Sequence, residues 1–390
     1  MLSVGLEYLR EEPRRFIMEG ERLGLLYNAA SVDARLLLSR DVVSEVAGDD
    51  LYTLFGPQHG VSSDVQDNMV ETDHAVDPRL DIPCYSLYGE TRKPTPEMLE
   101  GLDTIIVDLQ DVGTRVYTYI WTLRLLMEAC GEAGVKVLIL DRPNPIGGAK
   151  VEGSLLEQEF LSFVGMEPIP MRHGMTIGEL AIWFLRCRGV ECSVEVVPLR
   201  GYRRDKFWRE FGREWVLTSP NLPTFDSASV YPGTVLLEGT NASEGRGTTR
   251  PFELVGGPWG QSGDLAKVME GQGLPGVRFR PHDFQPTFQK WGGVTVNGMQ
   301  LHVTNPVEFS PWLTGLVLLR ELWGLYKDAG FWWNEPPYEY EEDMLPIHML
   351  LGSSSLREMI EAGAPNGELN EFGREGLLSF MEERAECLIY

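Results

Sequence analysis

Short apolar runs alternate with longer amphipathic ones through the first half of the chain. Leu23 to Tyr27 (LGLLY) predicts a buried strand ending at Asn28, and Leu51 to Phe55 (LYTLF) a second, running into Gly56-Pro57. Thr104 to Leu109 (TIIVDL) and Val135 to Leu140 (VKVLIL) predict a third and a fourth. Tyr119 to Glu132 lies between the last two and carries an apolar face of Trp121, Leu125, Leu126 and Met127. Thr176 to Arg186 predicts another helix, followed by a strand at Ser193 to Val197. Strands separated by helical stretches argue for βαβ units and a parallel sheet. Runs this rich in Val, Ile and Leu fit a sheet covered on both faces.

The second half changes texture. Gly201 to Trp215 is basic and aromatic, and the Pro-rich stretch Ser219 to Phe225 (SPNLPTF) predicts a domain boundary, dividing the chain into 1–226 and 227–390. Beyond it comes a Gly- and Thr-rich loop, Glu238 to Glu253. Short strands are expected at Val277 to Arg280, Gly293 to Val296 and Gln300 to Val303, and helices at Gly263 to Glu270 and Pro311 to Tyr326. This half reads as α+β. The last sixty residues hold 13 acidic and 3 basic side chains, which predicts a solvated helical tail.

Charge narrows the partners. The formal net charge of −24 repels phosphate backbones and anionic lipid heads, so neither nucleic acid nor membrane is an expected partner. The five cysteines (Cys84, Cys130, Cys187, Cys192, Cys387) form no CxxC pair, and they read as small buried thiols of a reducing compartment. The opening MLSVGLEYLREEPRRF has no apolar core of a signal peptide, and no window reaches the roughly 18 apolar residues of a membrane span. The chain therefore reads as soluble and cytoplasmic.

Ligands of open parallel sheets bind beyond the carboxyl ends of the strands. Here those ends deliver Asn28, then Gln58-His59, then Gln110 to Tyr117, then Asp141-Arg142-Pro143-Asn144, which points to one shared site. His59, between two glycines' reach of a sharp turn, serves either as a general acid or base or as a turn histidine bonded to backbone. His173 and Arg172 precede Thr176 and Glu179, which have capping-box spacing. Arg246 and Arg250, flanked by Thr248 and Thr249, either clamp a carboxylate or neutralise Glu238, Glu244 and Glu253. Phosphate-loop, dinucleotide and hydrolase-elbow motifs do not occur, and no metal or cofactor is argued. A nucleotide-dependent enzyme would rest on fold analogy alone. Carboxylates are the remaining chemistry, and glycoside hydrolysis usually takes two. Asp64, Glu71, Glu90, Asp108, Asp111, Asp141 and Glu244 are the candidates near the strand ends.

At this level of detail the motifs match a known family. FGPQHG, DLQDVGTRVYTYIWT, LDRPNPIGG, PIPMRHGMTIGEL, SPNLPT and YPGTVLLEGTNASEGRGTTRPFELVG resemble the DUF1343 family, whose characterised members are exo-β-N-acetylmuramidases of the NamZ type. The likeness spans roughly Leu23 to Tyr326. It implies a Rossmann-like N-terminal domain, a smaller C-terminal domain, a site in the cleft between them, no cofactor, and release of a terminal N-acetylmuramic acid from a saccharide or muropeptide. The lactyl carboxylate of that sugar would meet Arg246, Arg250 or Arg115. One departure stands out. Many members read PEHGFRG where this chain reads PQHGVSS, so the family's proposed catalytic glutamate is Gln58. Asp64, Asp67 or Glu71 could then supply the missing carboxylate, or the protein could bind sugar without cleaving it. The resulting expectation assigns proton handling to His59, Asp111 and Glu71 or Glu244. It assigns substrate binding to Asn28, Gln58, Arg115, Tyr117, Asp141, Arg142, Asn144, Arg172, His173, Asn221, Asn241, Arg246, Thr248, Thr249 and Arg250.

Overall fold

The run LGLLY offers no polar position to solvent, and it forms β1 (Leu23–Tyr27), buried at every residue. The computed structural model describes residues 2–66 and 69–390. β2 (Leu51–Gly56), β3 (Ala75–Val76), β4 (Pro83–Ser86), β5 (Thr104–Asp108), β6 (Lys136–Leu140) and β7 (Val194–Val197) join β1 in a seven-stranded sheet. Its order is β3-β4-β2-β1-β5-β6-β7. Neighbours are parallel except β3 with β4. The chain winds outward from β1 to β4, then returns to β5 on the other side of β1. Connections therefore diverge at the β1/β5 edge, where open α/β sheets make room for ligands.

Helices cover this sheet as the pattern predicts. Tyr119–Ala133 buries Trp121, Leu123, Leu126 and Met127, and ends at Gly134, whose φ of 72° is the left-handed conformation of a helix stop. Ile177–Cys187 is opened by the Thr176–Glu179 capping box. Thr176 Oγ1 accepts from the Glu179 amide at 3.2 Å, and Glu179 Oε2 accepts from the Thr176 amide at 3.0 Å.

The second half builds a smaller antiparallel sheet, β8 (Leu254–Gly257), β9 (Val277–Pro281) and β10 (Asn297–Val303), in the order β8-β10-β9. The fold class is thus α/β: a Rossmann-like, mainly parallel sheet followed by a smaller α+β part. Helices Asp264–Gly271 and Pro311–Tyr326 pack with it, close to their expected bounds. Gly293 to Val296 is not a strand. Gly293 turns at φ 78°, and only a single bridge joins Val296 to Phe284. Helix Phe225–Thr234, with Pro232 inside it, was not among the expected elements.

The acidic tail is helical but not merely solvated. Helices Pro346–Leu351, Ser354–Glu361, Asn366–Glu371 and Arg374–Ala385 bury Ile347, Leu350, Leu356, Ile360, Leu369 and Phe380. Their outer faces keep the charge. The final residues then fold back onto the first sheet. Tyr390 donates its hydroxyl to Asp141 at 2.7 Å and accepts from the Leu199 amide at 2.7 Å, while the Ile389 amide meets Glu179 at 3.0 Å. All five cysteines are free thiols, and Cys84, Cys130 and Cys387 are buried. Among the described residues no helix is long and apolar enough to cross a membrane.

Candidate active site

β2 ends at Gly56, and the turn beyond it presents Gln58 and His59. β5 leads through a buried loop to Val116, Tyr117 and Thr118 at the start of the next helix. Opposite them stand Tyr231, Glu238, Arg246, Tyr338 and Glu339 from the second half of the chain. Together these side chains border a narrow pocket with about 40 Å³ of free space. An adjoining depression of about 300 Å³ shares Glu238, Arg246 and Tyr338 as a common wall and adds Glu244, Lys290 and Asn334.

Two carboxyls dominate the pocket, and neither was in the expected set. Glu238 receives Arg246 Nη2 at 2.7 Å and the Tyr338 hydroxyl at 2.5 Å. Glu339, only 4% exposed, receives the Tyr88 hydroxyl at 2.8 Å and the Gln58 amide at 3.4 Å. Burial pushes the Glu339 carboxyl up to about 7, against the pull of the Tyr88 bond, with the Glu238 charge adding to the rise. Glu339 and Tyr340 sit at φ 45° and 70°, the left-handed region that non-glycine residues rarely adopt. His59 does the same at φ 70°. Strained backbone of this kind clusters where side-chain placement matters.

His59 Nδ1 lies 2.9 Å from the Val65 carbonyl, which assigns the proton to Nδ1 and leaves Nε2 a lone pair. Burial, with the Arg246 charge adding to it, brings its pKa down to about 4, so the ring is neutral at neutral pH. His59 is the backbone-bonded turn histidine of one reading, and it borders the pocket.

The remaining expected residues divide sharply. Tyr117 and Asn221 line the pocket, Asn221 Nδ2 donating a hydrogen bond of 2.8 Å to the Gln66 carbonyl. Glu244 lines the adjoining depression. Although burial works against its charge, Lys290 and Arg246, each 2.9 Å away, carry its pKa down to about 2. It is a fixed anion, unsuited to donating protons.

Most others are spent inside the fold; among the described residues Asp111 Oδ1 and His173 Nε2 are buried without a hydrogen-bond partner. Asn28 donates to the Tyr119 hydroxyl and the Thr218 carbonyl at 2.7 and 2.9 Å. Arg115 is wholly buried and donates to the carbonyls of Ser154, Ile169 and Leu350. Burial lowers its pKa to about 9, which leaves it charged at neutral pH. Asp141 accepts from Thr176, Gly178, Arg142 and Tyr390. Arg142 forks onto Asp108, Asn144 bonds the Met175 carbonyl, and Arg172 pairs with Glu152 at 2.6 Å. Asp111 Oδ2 accepts from the Gly113 amide at 2.7 Å and lies 3.2 Å from His173 Nε2. Asn241 bonds the Gly330 carbonyl. Thr248 closes its own turn, Thr249 is exposed, and half-exposed Arg250 leans on Glu253. Glu71 is exposed, 3.2 Å from the Tyr340 hydroxyl. Asp67 lies outside the described residues. A second depression at the sheet edge is bordered by Arg142 and Arg213, but both are matched, by Asp108 and by Glu7.

Glu238 belongs to the Gly/Thr-rich loop and was read only as a charge to be neutralised. Glu339 lay in the acidic tail, which read as solvent-facing. The one legible hint was Tyr338-Glu339 beside Pro336-Pro337, an aromatic and turn-rich island within the acidic stretch.

A Rossmann-like sheet whose strand ends meet paired carboxyls from a smaller α+β part defines the class of this molecule. Family models described as exo-beta-N-acetylmuramidase NamZ match it at residues 23–226 (N-terminal) and 229–390 (C-terminal). The peptidoglycan beta-N-acetylmuramidase NamZ of Bacillus subtilis (strain 168) is 42% identical over 373 residues, covering 96% of this chain and 88% of the relative. Two crystal structures of DUF1343 family proteins from Bacteroides fragilis NCTC 9343 superpose with TM-scores of 0.88 and 0.77, at 32% and 27% identity. Each spans all of this chain and 99% of its own. The chain belongs to the NamZ family.

Proposed function

We propose that this protein hydrolyses glycosidic bonds in peptidoglycan fragments and releases a terminal N-acetylmuramic acid. The observation that carries this reading is the shared wall. Glu238, Arg246 and Tyr338 border both the enclosed pocket and the adjoining depression. A saccharide seated in the wider depression and reaching into the pocket would place a glycosidic bond against that wall. A carboxylate there and a second, buried carboxyl in the pocket are the pair that glycoside hydrolysis uses. Of the arginines considered for the lactyl carboxylate only Arg246 lines the pocket, where the ligand would share it with Glu238 and Glu244; Arg115 is enclosed by carbonyls and Arg250 faces solvent. The B. subtilis relative, named for this activity, supports the same substrate.

Hydrolysis of a chromogenic β-MurNAc glycoside, beside its β-GlcNAc analogue, tests the proposal. Turnover confined largely to the MurNAc substrate is expected, and turnover of neither would overturn it. Gln58 favours a second reading, a protein that grips the sugar without cleaving it. Saturable muropeptide binding in calorimetry, with no product formed, would select that reading.

A further inference from the structure

We infer that Glu339 is the catalytic residue that protonates the departing glycosidic oxygen, beside a position, 58, that holds no carboxyl in this chain. The inference rests on the hydrolase reading above and assigns one of its groups.

Geometry comes first. Thr118 Oγ1 donates to Gln58 Oε1 at 2.6 Å, which fixes the amide and turns its Nε2 toward Glu339 Oε1 at 3.4 Å. An amide has no proton to give in this pH range. The neighbouring carboxyl does, and both groups border the same pocket. A carboxyl at position 58 would stand within reach of Glu339, and two carboxyls so close share one proton. With Gln58 in place the site has a single titrating carboxyl at that point, and the amide steadies its anion once the proton has left.

The placement is held from several sides. Tyr88 fixes one carboxyl oxygen, Gln58 the other, and the Glu339 amide rests 3.2 Å from Met69 Sδ. Arg92 lies 3.4 Å above the Tyr340 ring, which flanks Glu339 in sequence. The charged and titratable groups that bear on Glu339 include Tyr88, Arg92, Glu238, Tyr231 and Tyr338. Arg92 and the bonds from Tyr88 and Gln58 favour its anion, while burial and the Glu238 charge favour the acid. Burial wins, leaving a protonated fraction near neutral pH, where a general acid is most effective.

The step balances simply. The bond between the anomeric carbon and the leaving oxygen breaks, its electron pair stays with that oxygen, and the Glu339 proton joins it. Water then bonds to the anomeric carbon, and the proton it sheds returns the carboxyl set to its starting state.

Glu339→Gln, compared with the parent on two aryl β-MurNAc glycosides, decides the matter. One carries a dinitrophenol, which departs without a proton, and the other an unactivated phenol. Loss of a proton donor should cut kcat on the phenol substrate by about 10²- to 10⁴-fold. The dinitrophenyl substrate should fall by less than about tenfold, and the basic limb of kcat/KM should disappear. Glu339→Asp should recover part of the loss and restore a basic limb. Equal losses on both substrates, or an unchanged basic limb, overturn the inference and leave the functional reading standing. If the parent cleaves neither glycoside, both fall together.

Discussion

Two polar surfaces meet in this protein, and they are put to opposite uses. The ends of β1 and β6 carry Asn28, Asp141, Arg142 and Asn144, all buried and all bonded to other parts of the fold. The ends of β2 and β5 carry Gln58, His59, Tyr117 and Thr118, which border the pocket and face carboxyls from the second half of the chain. Both sets look alike as polar residues after apolar runs. What separates them is supply of partners. Around β6, helix Ile177–Cys187 and the returning tail saturate the carboxylate of Asp141 with donors. Around β2, the partner across the gap is a buried carboxyl that itself lacks a cation in direct contact. Saturated polar groups stabilise. The incompletely matched ones are those left for substrate.

The comparison can be broken most forcefully at Glu238. Glu238→Gln is expected to lower kcat by about 10²- to 10⁴-fold, with a loss of stability limited because Glu244 still pairs with Arg246. Steady-state kinetics beside a thermal melt check it, and a fully active variant would remove Glu238 from the site. Next comes the spent surface. Arg142→Met leaves Asp108 charged and unpaired, at a cost of about 3–5 kcal/mol of stability. Denaturant unfolding should show that loss, with kcat per folded molecule unchanged.

Smaller effects sharpen the contrast through pH. Burial raises the Asp141 carboxyl from 3.8 to about 7. The folded state therefore holds a proton that the unfolded chain gives up. That contribution to stability is complete below the ordinary value and is lost as pH rises through about 7. Unfolding followed from pH 4 to 8 should show this decline, and Asp141→Asn should flatten it without moving the pH dependence of kcat/KM. Glu339 has the same sign, but its titration should appear in the kinetics, with kcat/KM falling above pH about 7. The least effect belongs to the exposed loop. Thr249→Ala and Arg250→Ala should each change stability by under about 0.5 kcal/mol and leave turnover within about twofold.

The fold was largely legible because its signals are local. Buried runs such as LGLLY and TIIVDL became β1 and β5, and Thr176 and Glu179 formed the capping box their spacing requires. The site was legible only on one side. Gln58, His59, Tyr117, Asn221 and Arg246, singled out in the sequence, line the candidate pocket. Glu238 and Glu339 could not be picked out, because the tyrosines that hold them come from distant parts of the chain, although the Arg246 partner of Glu238 is local. Tyr338 reaches Glu238 across 100 residues, and Tyr88 reaches Glu339 across 251. Composition pointed the wrong way as well, since a glutamate in an acidic tail reads as solvated.

The return of residues 389–390 to the first sheet has a consequence for how the protein is made. Asp141 and Tyr390 are 249 positions apart, and Leu199 and Tyr390 are 191 apart. A ribosome emits roughly 5–20 residues per second. The parallel sheet must therefore wait on the order of ten seconds or more after β6 is synthesised before its final hydrogen bonds can close. During that interval Asp141 and the backbone at Leu199 lack the partner that seals them. The nascent first half thus emerges as an unfinished sheet, and the late-arriving tail is its clasp.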